Sequence, residues 1–346
     1  GPQLEQVLRS GQVDVSAFGY WQTTFEGLAR EHGGLRAIFD DTDVLGEIAG
    51  GFIVLRRDWV DAHPAEARAF VEGSARALDY ARERIQSKAP KSVRGDRPKG
   101  SDPIILQPDV RRMLSVMKAK ISAARAVCLS TGVAADLARH AGTEEERRRW
   151  KGREDLFTPI AKAWSTDIGC EVASMGVQIH GGMGYVEETG AAQHWRDSRI
   201  APIYEGTNGI QAADLVTRKL GLDGGEALVA LFEEIAREAS EEYALAALAM
   251  DCASVARWMR DDASLDDRLA GSVPFCTMAA VCVAGWQLTK QAAAVAAGAA
   301  PELAATKPVT VRFFLDRIVP EAAGLKAGAV AGAELLYALP AAALVA

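Results

Sequence analysis

Glu205 stands in the segment RIAPIYEGTNGIQ, flanked by Ile203, Tyr204 and Gly206. An apolar setting strips water from a carboxylate and raises its pKa toward the range useful for a general base. Thr207 and Asn208 both carry N-cap side chains, so a helix is expected to begin there, with first-turn N–H groups open to an anion or dipole. A carboxylate just ahead of a helix can also act simply as a partner of the helix dipole.

A second stretch, QIHGGMGYVEETGAAQHWRDS, begins 27 residues upstream of that acid, at Gln178. A helix is expected to end at His180, and Gly181 and Gly182 follow where a C-cap wants positive φ. The bare backbone of Gly181, Gly182 and Gly184 can lie close to a bulky ligand, or can simply stop a helix. Glu187 stands where GxGxxG needs its last glycine and no strand comes before, which argues against a dinucleotide fingerprint. His180 and His194, with Glu187 and Glu188, have neither helical i, i+4 spacing nor a compact ligand pattern, so no metal site is expected. No GxSxG element is present. Trp164, Trp258, Phe275 and Trp286 lie on helical patterns and read as core.

Elements of two kinds must position these residues. Up to about Phe70 the runs GQVDVSAFGYW, GLRAIFDDTD and GGFIVLRRDWV suggest strands alternating with short helices. From PAEARAFVEG onward apolar residues recur at helical spacing, with Pro64 at a helix start and a boundary near residues 63 to 75. The basic Pro- and Gly-rich segment Ser87 to Pro103 reads as a solvated loop. Long helical patterns follow, strongly alanine-rich after Glu226, which predicts close helix-on-helix packing.

The totals fit a globular chain with room for two or three domains. Its 346 residues are 49% hydrophobic and 25% charged, with a formal charge of -7. That balance argues against nucleic acid as the main partner. Five scattered cysteines without a CxxC pair suggest a reduced, cytoplasmic setting with buried thiols. No uninterrupted apolar run approaches the roughly 20 residues of a membrane span, and no signal peptide is expected.

The region QIHGGMGYVEETGAAQHWRDSRIAPIYEGTNGIQAADLVTRKL, with YARERIQ and PDVRRML, resembles acyl-CoA dehydrogenases, flavoenzymes that place an α,β double bond in acyl-CoA thioesters. The resemblance runs from about Ser74 to Ala346. SVPFCTMAAVCVAGWQL and VRFFLDRIVPEA are similar to the C-terminal helical extension of the larger branch, which includes long-chain, broad-chain and methylthiopropionyl-CoA members. It implies a mainly α fold, Glu205 as the base that removes the α-proton, and Gly206 as the point where substrate comes close. It further implies FAD contacts at Arg84, Gln86, Gln178, Ile179, His180, Gly181, Gly182, Thr207, Asn208 and Gly209. The loop from Gln178 to Gly182 would serve a neighbouring subunit, which implies a homo-oligomer. Electron-transfer flavoprotein as acceptor and a place in fatty-acid oxidation also follow from the resemblance. Where many relatives have His ahead of the PDVRRML segment, this chain has Gln107.

Residues 3 to about 70 resemble a different family, the C-terminal part of ABC-importer substrate-binding proteins, with a ligand site near Asp14, Tyr20, Trp21 and Asp41. The expected organisation is therefore an α/β segment at 1–70, an acyl-CoA dehydrogenase C-terminal helical domain at 71–224 and a helical extension at 225–346. The family's N-terminal helical domain and middle β domain are missing from this arrangement. A silent helical scaffold and a partial solute-binding protein are the alternatives to an enzyme.

Overall fold

A computed structural model describes residues 15–18, 35–37, 52–56, 76–97, 99–204 and 206–344. The chain divides into two units, Gly1–Arg125 with Ile168–Glu205, and Ala126–Asp167 with Gly206–Ala346. Glu205, Pro64, the 63–75 boundary and the four residues of the expected solute site lie outside the described residues.

In the first unit, each of the three β-branched and aromatic runs contributes one strand: β1 Val15–Phe18, β2 Leu35–Ala37 and β3 Phe52–Arg56. The sheet order is β1-β3-β2 and both pairings are antiparallel, with Ala17 opposite Ile53 and Arg36 opposite Leu55. Helix α1, Arg76–Glu83, buries Ala77 and Ala81, four residues apart and so on one face. They form a core with Met113 and Ile179, against which Ile104, Ile105, Val110, Leu114 and Met117 pack.

After α1 the chain runs extended. The Ile104 N–H donates to the Arg84 carbonyl at 2.9 Å and the Gln86 N–H to the Asp102 carbonyl at 3.0 Å. The basic loop between them folds around Asp102, which is buried. Its carboxylate accepts from the Ala89 N–H at 3.0 Å and pairs with Arg94 Nε at 2.8 Å. The Ala89 N–H, helped by Arg94 against the opposing effect of burial, holds this carboxyl below its ordinary value. Lys88, Lys91, Arg97 and Lys99 remain exposed.

Two long helices follow, α2 Pro108–His140 and α3 Glu144–His180, and each contributes residues to both units. Pro108 opens α2 at a position where a missing N–H costs nothing. A capping box opens α3: Thr143 Oγ1 accepts from the Glu146 N–H, and Glu146 Oε2 from the Thr143 N–H. Within the first unit, Lys120 of α2 grips Glu171 of α3 at 2.7 and 2.8 Å. Helix α4, Ala191–Ser198, belongs to the same unit.

The regular elements of the second unit are all helical among the described residues, and include α5 Asn208–Asp214, α6 Ala227–Glu238, α7 Tyr243–Asp261, α8 Ser272–Ala296 and α9 Lys307–Phe313. Helices α5 and α9 each widen into a π-turn, Leu215–Lys219 and Phe314–Ile318. A run of buried residues from Met278 to Trp286 makes α8 the centre of the unit. Gly285 permits the approach of α7, since a Cβ there would stand 2.8 Å from Leu245 Cδ1. Phe232 and Phe275 meet edge to face at 6.2 Å. Trp164 and Trp286 are also buried, whereas Trp258 is half-buried. The Trp286 indole donates to Glu238 at 2.8 Å, with Lys290 at 3.7 Å and Arg153 at 5.3 Å from the ring centroid.

Helices α2 and α8 are each long and apolar enough in composition to cross a membrane, although neither has an uninterrupted apolar run. In their most apolar windows 56% and 72% of residues are buried in the protein, as in core helices. Cys170, Cys252, Cys276 and Cys282 are buried and Cys128 is half-buried, all as free thiols. Burial pushes the Cys276 thiol up to about 12.

Candidate active site

In the second unit the geometry centres on the chain that leaves Glu205. Gly206 has φ +83°, a left-handed value that an L side chain adopts only with strain. Thr207 is the N-cap of α5, its Oγ1 accepting from the Ile210 N–H at 3.3 Å, while its carbonyl accepts from the Gln211 N–H at 3.1 Å. Those two N–H groups are therefore engaged within the chain.

Asn208 ties this loop to α3. Its Nδ2 lies 2.8 Å from the Ala163 carbonyl, 2.9 Å from Thr166 Oγ1 and 2.8 Å from Asp167 Oδ1. Its Oδ1 accepts from Lys162 Nζ at 2.8 Å and from Thr166 Oγ1 at 3.1 Å. Lys162 Nζ also donates to the Gly206 carbonyl at 2.7 Å. With its side-chain amide fully occupied, Asn208 has only backbone left to offer a ligand. Deeper in the unit, Lys219 at the end of the π-turn is buried and pairs with Asp155 of α3 at 2.7 Å. Burial alone would raise the Asp155 carboxyl, but the ammoniums of Lys219 and Lys151 outweigh it and hold the carboxyl low.

In the first unit, the cofactor positions implied by the resemblance sit on two segments. Arg84 and Gln86 lie on the extended chain after α1, both exposed, and Arg84 has no carboxylate partner among the described residues. Gln107 precedes α2, and its Nε2 is buried without a hydrogen-bond partner among the described residues. An unpartnered buried donor is costly unless something outside the chain accepts from it.

Helix α3 ends at His180, as its sequence suggests, and the glycines after it have three different duties. Gly181 takes φ +59° and its N–H donates to the Gln178 carbonyl at 3.0 Å, so it makes the turn. Gly184 is buried, and a Cβ there would fall 2.2 Å from the Val177 carbonyl oxygen, so it serves packing. Gly182 is exposed, has no positive φ, and a Cβ would meet nothing within 4 Å. No demand of the chain itself explains a glycine there.

Of the neighbouring positions, Gln178 is exposed and Ile179 and His180 are buried. His180 Nδ1 lies 2.7 Å from the Gly176 carbonyl, and the ring lies 4.6 Å from that of Tyr80. Glu187 forms a two-pronged pair with Arg196 at 3.0 and 2.7 Å. Among the described residues no three His, Cys, Asp or Glu side chains gather as a metal site.

The residues present suit a phosphate-bearing cofactor such as FAD. A cation and an amide donor that lack partners among the described residues, and an open glycine, all belong to the first unit. The contact made by Ile104 to Arg84 ties the strand of Arg84 to the turn that leads into Gln107. The resemblance nominated Arg84 and Gly182, but sequence reasoning gave no role to Lys162, which lies 44 residues before Gly206 in the middle of a helix.

Known proteins resemble this chain in sequence and in fold. Residues 75–220 match the family model "Acyl-CoA dehydrogenase, C-terminal domain", and residues 227–340 match "Acetyl-CoA dehydrogenase C-terminal like". The 3-methylmercaptopropionyl-CoA dehydrogenase of Ruegeria pomeroyi is 41% identical over 262 residues, covering 71% of this chain and 44% of that protein. A butyryl-CoA dehydrogenase of Syntrophomonas wolfei is 30% identical over 273 residues, covering 72% of this chain and 43% of that protein. The chain thus spans less than half the length of these relatives.

Among solved structures, an acyl-CoA dehydrogenase complexed with FAD from Bacillus anthracis is similar with a TM-score of 0.59 at 17% identity, covering 86% of this chain and 59% of that one. Caenorhabditis elegans ACDH-11 in complex with C11-CoA gives 0.53 at 15% identity, covering 83% and 51%. At such identities the likeness speaks for the mainly α fold alone. With the two family models lying end to end over 75–340, this chain belongs to the acyl-CoA dehydrogenase family, of which it carries the C-terminal region.

Proposed function

We propose that the chain is the base-bearing part of an FAD-dependent acyl-CoA dehydrogenase, acting on an acyl-CoA thioester with Glu205 as the α-proton base. The observation that carries this reading is the 41% identity over 262 residues to the Ruegeria pomeroyi enzyme, a span that includes most of the matched region. The α-proton of a thioester is only weakly acidic, so its removal calls for a desolvated, well-aligned base and donors at the thioester carbonyl. In this reading Glu205 takes the proton, its backbone N–H donates to the carbonyl, and Gly206 leaves room for the substrate. FAD, when bound, supplies the acceptor for the β-hydride.

Arg84 and Gln107 in the first unit would hold a cofactor by charge and by the spare amide donor, with Gln86 next to Arg84 in the chain, while Gln178 and the exposed Gly182 would serve the FAD of a neighbouring subunit. In the second unit, the backbone of Thr207, Asn208 and Gly209 is proposed by itself as a further FAD contact. Electron-transfer flavoprotein as electron acceptor, a homo-oligomer, a cytoplasmic setting and a place in fatty-acid oxidation belong to the same proposal.

A visible spectrum of the purified chain with added FAD tests the reading first. A bound-flavin band near 450 nm is expected, and a colourless protein after FAD addition and desalting overturns it. Glu205→Gln should lower turnover of an acyl-CoA by about 10³-fold or more while the flavin band persists. Turnover unchanged by that substitution removes Glu205 from the base role.

A further inference from the structure

Lys162 joins two backbone and side-chain oxygens that flank Thr207. Its ammonium donates to the Gly206 carbonyl at 2.7 Å and to Asn208 Oδ1 at 2.8 Å, both charge-assisted bonds. Asn208 in turn is held by Ala163, Thr166 and Asp167, so four consecutive-turn positions of α3 grip the loop that follows the acid. Gly206 has φ +83° and is exposed, and an exposed glycine in an irregular segment has the least conformational resistance to movement of any residue. Among the described residues, Lys162 is what fixes its carbonyl.

We propose that Lys162 is a positioning residue for the Glu205 segment: carried on helix α3, it sets the direction in which the chain leaves the acid. The inference rests on the reading of Glu205 as the α-proton base. Lys162 touches neither substrate nor cofactor in this role. A base misplaced by about 1 Å loses rate on the order of 10²-fold, so a fixed anchor one residue along the chain has catalytic consequence.

The test compares Lys162→Met, Lys162→Arg and the unaltered chain by two readouts. Hydrogen exchange of the Thr207 to Gln211 amides needs no cofactor. Lys162→Met is expected to speed it about tenfold or more, and Lys162→Arg to restore much of the protection because a cation is kept. With FAD and an acyl-CoA, Lys162→Met should lower kcat by about 10- to 100-fold with KM and the flavin band little changed, and Lys162→Arg should recover part of the loss. Unchanged exchange in Lys162→Met overturns the anchor, and faster exchange with unchanged kcat overturns the positioning role. Absence of turnover by the unaltered chain, or full turnover by Glu205→Gln, instead overturns the reading on which the role depends, while the exchange data still decide whether Lys162 holds the loop.

Discussion

The loop of Gly206 to Gly209 in the second unit and the positions Arg84, Gln107 and Gly182 in the first are both proposed to serve the site, yet they dispose of their polar groups and space in opposite ways. In the former, Asn208, Thr207 and the Gly206 carbonyl all find partners inside the chain. In the first unit, the Arg84 guanidinium and Gln107 Nε2 have none among the described residues, and nothing stands within 4 Å of where a Cβ on Gly182 would be. A loop that satisfies itself is preorganised, which is what a base requires, since geometry fixed before binding costs nothing during the reaction. Groups left over are what a ligand requires, because binding gains most where the protein has unspent donors.

The sharpest way to break this contrast is at the glycines. Gly184→Ala would drive a Cβ against the Val177 carbonyl, a backbone atom with no rotamer to yield. A loss of about 2–4 kcal/mol in unfolding free energy is expected, read as a lowered midpoint in denaturant. Next comes Asn208→Ala, which removes the amide that ties α5 to α3 and leaves Lys162 with fewer acceptors. Its expected cost is about 1–3 kcal/mol, measured the same way. Smallest in stability is Gly182→Ala, expected to stay within about 0.5 kcal/mol because a Cβ there meets nothing. The same substitution should weaken FAD binding in a flavin titration. If Gly182→Ala destabilises the chain as much as Gly184→Ala, the division between packing glycine and ligand glycine fails.

Much of this was legible in the residues. The end of α3 at His180 followed from the glycine pair, and an N-cap at Thr207 or Asn208 from their side chains, of which the fold uses Thr207, because capping is decided within a few residues. The helical spacing and alanine content after Glu226 read through to a helical unit, since periodicity is local. The three glycines of HGGMGY could not be told apart, as only the fold shows which one faces the Val177 carbonyl. Lys162 was invisible for a related reason: in PIAKAWSTD it looks like any helix-surface cation, and its partners arrive from 44 residues away. Lys219 is a similar case, a cation whose burial depends on Asp155, 64 residues earlier. Tertiary pairing of this kind leaves no periodic trace in a sequence.

Trp286 adds something of practical use to whoever handles this chain. Its indole is buried at the centre of the second unit, hydrogen-bonded to Glu238 and faced by the charges of Lys290 and Arg153. Such surroundings tune the colour and intensity of an indole's emission, and they exist only while α3, α6 and α8 are assembled. In a variant that keeps Trp286 and replaces the chain's other tryptophans by Phe, its fluorescence would be a gauge of the second unit, able to tell a chain that has lost its chemistry from one that has lost its shape.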